Sequence, residues 1–583
     1  MSASAASGHG PAASGEDPRG DLVWGTIPGL VAAAAERFGN AEALIDGNLR
    51  LSFADVASRS IEVTRGVIAS GIHPGDRVAL WAPNMAEWVL AALGLLGSGA
   101  VLVPLNTRFK GDEAAYVIRR AGVRALFTVR GFLGIDYPGL LEGEDVPSLE
   151  RIVLLRGTGG EASEPTSTDD VPVFEWEEFL RGGEGVVESE DGIVGVPVLE
   201  HDARNRWQAV RGHDLSDLIF TSGTTGRPKG VMTTHAQSLR AFATWSQVVG
   251  LEEGDRYLVV NPFFHTFGYK AGILASLIRG ATIVPLAVFD VDEVLATVQR
   301  ESITVLPGPP TLYQSIIDHP RRGEHDLSSL RLAVTGAAVV PVELIRRMRS
   351  ELMFATVLTA YGLTESTGVV TMCRRGDPPE TIAETSGRAI PGVEVRVADD
   401  AGGDAPPGSP GEVLVRGYTV TAGYVDDPEA TAEAIDTDGW LHTGDIGVLD
   451  ESGNLRITDR KKDMFIVGGF NAYPAEIEGT LLRHPGVAQV AVVGVPDERL
   501  GEVGYAFVVP RPAADAGTLG DELASWARDH MANYKVPRQV EVVDALPVNA
   551  SGKVLKTELR RLAGAGATVA THSGEETRHQ EGA

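Results

Sequence analysis

At 583 residues the chain is too long for one ordinary core, and its composition is that of a globular protein, with 43% hydrophobic and 22% charged residues. The 51 basic residues against 79 acidic ones leave a formal net charge of −28, which argues against nonspecific nucleic-acid binding and against docking on anionic membranes. A single cysteine, Cys373, excludes an intrachain disulfide and a cysteine-built zinc site, and it suits a reducing cytoplasm.

Residues 1–20 have no apolar h-region and almost no positive charge, so they read as a disordered leader and not a signal peptide. Ile45-Asp46-Gly47-Asn48-Leu49 reads as a hairpin turn, and Ser52-Phe53-Ala54-Asp55 as the N-terminal cap of a helix. A strand at Arg77–Trp81, a helix over 85–96, a strand over 100–105, a helix over 113–120 and a strand over 125–129 follow, the alternation of a layered α/β domain with largely parallel sheets. The apolar stretch 88–105 is broken by Gly94, Gly97, Ser98, Gly99 and Pro104, so it predicts buried elements and not a membrane span. Residues 156–204 turn to Gly, Glu, Asp, Ser and Thr, and they read as an acidic surface insertion ordered only over 171–180.

Directly after the apolar run Leu218-Ile219-Phe220 stands Thr221-Ser222-Gly223-Thr224-Thr225-Gly226-Arg227-Pro228-Lys229-Gly230. Glycines let successive N–H groups converge on an anion, hydroxyls add uncharged donors and Lys229 supplies a point charge, so this reads as a phosphate-handling loop, with a mobile turn as the alternative on composition alone. It is not a Walker A loop, because Pro228 and Gly230 stand where that motif needs a glycine and a hydroxyl. Further on lies the aromatic, histidine-containing segment 261–270. Past Arg460 the pattern becomes that of a small domain, with strands over 487–495, 505–509 and 540–543 and a helix over 521–531, and the tail 564–583 is low-complexity again.

The loop resembles the TSGTTG-x-PKG signature of the acyl-adenylate-forming superfamily, and other stations of that family recur in order. They are Gly336-Ala337-Ala338, Tyr361-Gly362-Leu363-Thr364-Glu365, Thr443-Gly444-Asp445, Asp459-Arg460-Lys461-Lys462-Asp463, Gly468-Gly469 and Asn549-Ala550-Ser551-Gly552-Lys553. The resemblance spans roughly residues 22–562. It implies a large multi-layer α/β N-terminal adenylation domain over 21–459, carrying the 156–204 insertion. A small α+β C-terminal lid would follow over 460–563, ahead of a disordered tail over 564–583.

It also implies roles. Thr221, Ser222, Gly223, Thr224, Thr225, Gly226 and Lys229 would close over the β- and γ-phosphates of ATP, and Glu365, with Thr221, would ligate Mg²⁺. Tyr361 would stack on the adenine beside Gly336, Ala337 and Ala338, with Gly362 and Thr364 in the same nucleotide motif. Asp445 and Arg460 would take the ribose hydroxyls, and Lys553 would reach the α-phosphate and the carboxylate. One small domain serving two half-reactions must rotate, and Lys462 falls at the family's hinge, while Gly468 and Gly469 match the tunnel by which CoA delivers its thiol. Lys553 lies in a P-x-x-x-x-G-K pattern associated with reversible acetylation, which makes a lysine acetyltransferase a candidate partner.

The acyl pocket is expected near Phe264, His265 and Gly268, with Gly336 and the 306–310 segment; Lys270 could meet a ring ketone, although a surface or capping role is the simpler reading. The segments FFHTFGYKAGIL, ITVLPGPPTLYQSIIDHP and ITDRKKDMFIVGGFNAYPAEIE are similar to actinobacterial CoA ligases that activate a propanoate carried on the bicyclic C/D-ring remnant of sterols. Ligation of such an acid to CoA therefore leads, in a cytoplasmic enzyme with a homodimer as candidate assembly. The alternatives are a medium- or long-chain fatty-acid CoA ligase, an acyl-AMP ligase serving a carrier protein, a luciferase-like oxygenase and a non-catalytic nucleotide-binding relative. The last would be expected to lose Lys553, Glu365 or Asp445, all of which are present.

Overall fold

The computed structural model describes residues 25–156, 171–183, 188–189, 192–193, 198–222, 228–336, 340, 342–399, 401–460, 465–472, 474–511, 514–547, 554, 556 and 558–564. A seven-stranded sheet runs in the order Pro228–Thr234, Leu215–Ser222, Val101–Pro104, Arg77–Trp81, Val123–Thr128, Arg151–Leu154 and Val173–Glu175. Its pairings are parallel except between Leu215–Ser222 and Pro228–Thr234, which form an antiparallel hairpin. Parallel strands need crossovers, and the helices Ala86–Gly97 and Gly111–Ala121 supply them.

Every residue of Ala86–Gly97 is buried. Its glycines allow close approach: a Cβ on Gly94 would lie 2.4 Å from Val63 Cβ, and one on Gly97 would lie 2.1 Å from Trp207 Nε1. The same glycines that break the apolar run therefore let the helix Phe53–Ala69 and Trp207 pack against it. Ser52 caps Phe53–Ala69 through a reciprocal capping box with Asp55, as its sequence predicts. No described helix is long and apolar enough to cross a membrane.

A second sheet carries the parallel strands Leu332–Gly336 and Thr356–Tyr361, and a third, antiparallel, runs Val393–Ala398, Gly411–Gly417, Leu441–Leu449 and Leu455–Arg460. One continuous buried cluster joins residues from Ile27 to Leu455, and two separate clusters lie past it, one spanning Phe465 to Met531 and the other Ala491 to Ala563. The second group is built on the long hairpin Val487–Asp497 and Gly501–Pro510, flanked by Pro474–Leu481 and Leu519–His530.

Within 156–204, the expected order over 171–180 is found, and more follows it. Val173–Glu175 is an edge strand of the large sheet, Trp176 and Phe179 pack on Phe127, and Glu200–Ala209 is a helix where the composition predicts loop. That helix is polar on most faces, but Trp207 buries its indole and donates to Thr64 Oγ1 at 2.8 Å.

Candidate active site

The hairpin Leu215–Ser222/Pro228–Thr234 pairs Thr221 with Lys229 and Ser222 with Pro228 across its open end. Residues Gly223, Thr224, Thr225 and Gly226, between the two strands, lie outside the described residues, as do Ala337, Ala338, Lys462 and Lys553. Ser222 and Arg460 are placed by their strand backbones alone.

Thr221 Oγ1 donates to Glu365 Oε1 at 3.2 Å, across 144 residues of sequence. Glu365 sits on the short 3₁₀ turn Thr364–Ser366, just past the strand Thr356–Tyr361. Tyr424 donates its hydroxyl to the same Glu365 oxygen at 3.0 Å, and Lys229 Nζ lies 5.1 Å from the Tyr424 ring centre. The hydroxyl, the carboxylate and the ammonium of the predicted phosphate site are thus gathered around one tyrosine ring. Tyr424 escapes sequence reasoning because its position is tertiary: Val425 N–H donates to Gly230 O and Met232 N–H to Gly423 O, which bind the 423–425 segment to the hairpin. Its one local signal is the preceding Gly423, at φ +124.

Tyr361, the last residue of its strand, donates to Asp445 Oδ2 at 2.6 Å. Asp445 is 4% exposed, its N–H donates to Thr443 Oγ1 at 3.1 Å, and Thr443 in turn donates to Val413 O at 2.7 Å. On the adjoining strand Arg460 is the register partner of Asp445. Gly336 ends the neighbouring parallel strand opposite Ala360, and a Cβ there would lie 2.9 Å from Ala360 O. Gly336 and Tyr361 therefore open at the carboxyl ends of adjacent parallel strands, where open α/β sheets bind ligands.

The 261–270 segment enters the same region. Thr266 meets the turn after Glu365, because a Cβ on Gly368 would lie 2.2 Å from Thr266 Cγ2. Gly268 is crowded by the carbonyls of Asn261 and Pro262, and Phe264 is half-buried. His265 is an exposed residue, and desolvation holds its pKa below the usual histidine value. Its Nδ1 accepts from Phe267 N–H at 3.2 Å, which leaves the proton of the neutral ring on Nε2.

Lys270 is neither a substrate group nor a surface cap. It lies in the π-helical stretch Phe267–Leu274, 1% exposed, with Nζ 2.9 Å from Asp217 Oδ1. Gly468 and Gly469 have φ of +55 and +85, and a Cβ on Gly469 would lie 3.7 Å from Pro309, in the 306–310 segment of the large unit. Cys373 is buried, with Sγ 3.1 Å from Thr359 Oγ1.

Glu365 and Thr221 offer hard oxygen donors of the kind Mg²⁺ takes beside phosphate, so the residues present fit that ion. No cluster of three or more His, Cys, Asp or Glu that could form an all-protein metal cage occurs among the described residues.

The AMP-binding enzyme family matches residues 31–425, and the AMP-binding enzyme C-terminal domain matches residues 476–553. A 3-[(3aS,4S,7aS)-7a-methyl-1,5-dioxo-octahydro-1H-inden-4-yl]propanoyl:CoA ligase of Rhodococcus jostii is 50% identical over 92% of this chain and 98% of its own. Among solved structures, o-succinylbenzoate CoA synthetase (MenE) of Bacillus subtilis, a double mutant bound to the product analogue OSB-NCoA, matches with a TM-score of 0.74 at 27% identity, over 91% of this chain and 98% of its own. The same synthetase in complex with AMP matches over the same shares at 27% identity with a TM-score of 0.61. With both family regions present in order and a relative aligned along nearly its whole length, the chain belongs to the AMP-binding enzyme family and has the adenylate-forming acyl-CoA synthetase fold.

Proposed function

We propose that the protein ligates a carboxylic acid to CoA, consuming ATP and releasing AMP and pyrophosphate, and that the acid is a propanoate carried on a bicyclic, steroid-derived ring system. The observation that carries this reading is the 50% identity to the Rhodococcus jostii propanoyl:CoA ligase along 92% of the chain. A carboxylate is a poor acyl donor because its oxygen leaves poorly. Attack on the α-phosphate expels pyrophosphate and makes a mixed anhydride, from which the CoA thiol displaces AMP.

In this reading Lys229 and the donors of 221–226 hold the β- and γ-phosphates, and Lys553 brings its charge to the α-phosphate and the carboxylate. Tyr361 covers the adenine while its hydroxyl orients Asp445 toward the ribose, a pairing supported by their 2.6 Å hydrogen bond. Glu365 and Thr221 would hold Mg²⁺, which supplies charge neutralisation on the phosphates. His265, with Phe264 and Gly268, borders the acyl cleft, and Gly468 and Gly469 admit the pantetheine arm. The unit from residue 460 onward pivots at Lys462 between the two half-reactions. The enzyme works in the cytoplasm. Acetylation of Lys553 would remove the adenylation cation, a change that intact mass and activity measured together would report.

The test is CoA-thioester formation with ATP and Mg²⁺ across acids from acetate through dodecanoate to the bicyclic propanoate, reading thioester, AMP and pyrophosphate by mass spectrometry. We expect kcat/KM for the bicyclic acid to exceed that of linear acids by about 100-fold, the order of discrimination a shaped pocket supplies. Preference for linear chains would make the protein a fatty-acid activator. Acyl-AMP without thioester would favour loading of a carrier protein.

A further inference from the structure

Lys535 follows the helix Leu519–His530, and its ammonium is 3% exposed, 2.7 Å from Glu113 Oε1 and 2.6 Å from Glu476 Oε1. Glu476 lies on Pro474–Leu481, in the same C-terminal unit as Lys535, whereas Glu113 lies on Gly111–Ala121, in the large unit. Both carboxylates are nearly buried, at 13% and 11% exposure. Two further contacts cross the same seam: Arg108 lies 4.2 Å over the Phe470 ring, and Arg483 pairs with Asp112 at 3.0 Å. The C-terminal unit thus docks on the short strip 108–113.

The chemistry of the three groups suits a contact that opens and closes. Lys535 and Glu476 travel together, so rotation of the C-terminal unit breaks only the Lys535–Glu113 arm. Lys535 then keeps Glu476 as its counterion, and Glu113 keeps the Lys110 N–H, which it accepts at 3.0 Å. Neither side is left as a lone buried charge, the condition that makes breaking a buried pair so costly. The closed arrangement also sets Gly469 against Pro309, where a thiol arm would meet the acyl segment. The whole chain superimposes better on the synthetase carrying a CoA-product analogue, at 0.74, than on the same synthetase with AMP, at 0.61.

We propose that Lys535 is a positioning residue: by bridging Glu476 to Glu113 it latches the C-terminal unit in the orientation that admits the CoA thiol to the acyl-adenylate. The proposal rests on the two-step reading given under Proposed function. Glu113 is the residue to change, because Glu113→Gln leaves the C-terminal unit's own ion pair intact. In Glu113→Gln, acid-dependent ATP–pyrophosphate exchange stays within about twofold of wild type, while thioester formation from preformed acyl-adenylate slows by about tenfold. Lys535→Arg retains more of the second half-reaction than Lys535→Met. Equal loss of both half-reactions in Glu113→Gln, or loss of neither, overturns the latch.

A second readout needs no substrate. Asp112→Cys and Arg483→Cys, introduced together, place two accessible thiols across the seam, and Cys373 is buried away from reagent. A short bismaleimide should link them, about tenfold more slowly when Glu113→Gln is added, and equal rates overturn the latch whatever acid the enzyme accepts. Failure of the substrate reading would instead appear in the wild-type protein, as absence of thioester from the bicyclic acid, with the cross-linking difference unaffected.

Discussion

A lysine five residues past the histidine of an aromatic segment invites assignment to substrate, but Lys270 is committed to the core. Its partner Asp217 is fully buried, and Asp217 Oδ2 also accepts from Ser216 Oγ at 2.6 Å. Desolvation pulls the Lys270 pKa below its ordinary value, and the Asp217 charge opposes that shift. Lys270→Met should strand the carboxylate in the core and destabilise the protein by about 3–5 kcal/mol in urea unfolding, with acid preference unchanged. A variant of native stability with altered acid preference would return Lys270 to the pocket. The pair is illegible in sequence because its members stand 53 residues apart, and an isolated lysine in an apolar run says nothing of its counterion. Thr221, Glu365, Tyr361 and Asp445 are legible because each stands in a spaced motif. Tyr424, with no such motif, is found only when the 423–425 segment is seen against the hairpin.

At the scale of elements, the turn after Thr356–Tyr361 sets the relative position of Tyr361 and Glu365. It closes so tightly that a Cβ on Gly362 would lie 2.4 Å from Gly368 O and 2.6 Å from Val369 N. Both atoms are backbone, so no side-chain rotation relieves the clash. Gly362→Ala should therefore open the turn, cost about 2–3 kcal/mol of stability, and raise the KM for ATP, since Tyr361 and Glu365 flank the displaced backbone. Thermal unfolding and ATP titration check this, and an unchanged KM with native stability would show that the turn yields elsewhere. Regular elements of the first α/β unit are readable to within about two residues: Gly111–Ala121 by the period of its apolar face, and the fully buried Ala86–Gly97 by its length and the glycines and prolines that bound it. The helix Glu200–Ala209 is not, since one buried tryptophan and one buried alanine carry its packing. The π-helical stretch Phe267–Leu274 is hidden for the opposite reason: uniform burial leaves no periodic contrast to read.

Across the whole molecule, the long core from Ile27 to Leu455 is closed by contacts between distant segments, and His235 makes one of them. At the start of the helix His235–Val249, its Nδ1 accepts from Ile27 N–H at 3.2 Å, tying the first helix of the core to the helix that follows the phosphate hairpin. Burial lowers its pKa from the usual 6.5 to about 4, against a smaller upward pull from Asp214. Protonation would turn the accepting nitrogen into a donor facing another donor. The sign follows from where the proton is held: between pH 6.5 and 4 the unfolded chain binds a proton that the folded chain refuses, so stability falls as pH falls through that window. From pH 6.5 to 5, mostly above the range of ordinary carboxylates, this histidine alone should remove about 1.5 kcal/mol. Urea unfolding of wild type and His235→Asn at those two pH values isolates the effect, because Asn offers Ile27 an acceptor that does not titrate. The variant should start less stable at neutral pH and lose less on acidification; parallel losses would mean that the histidine is neutral or charged alike in both states.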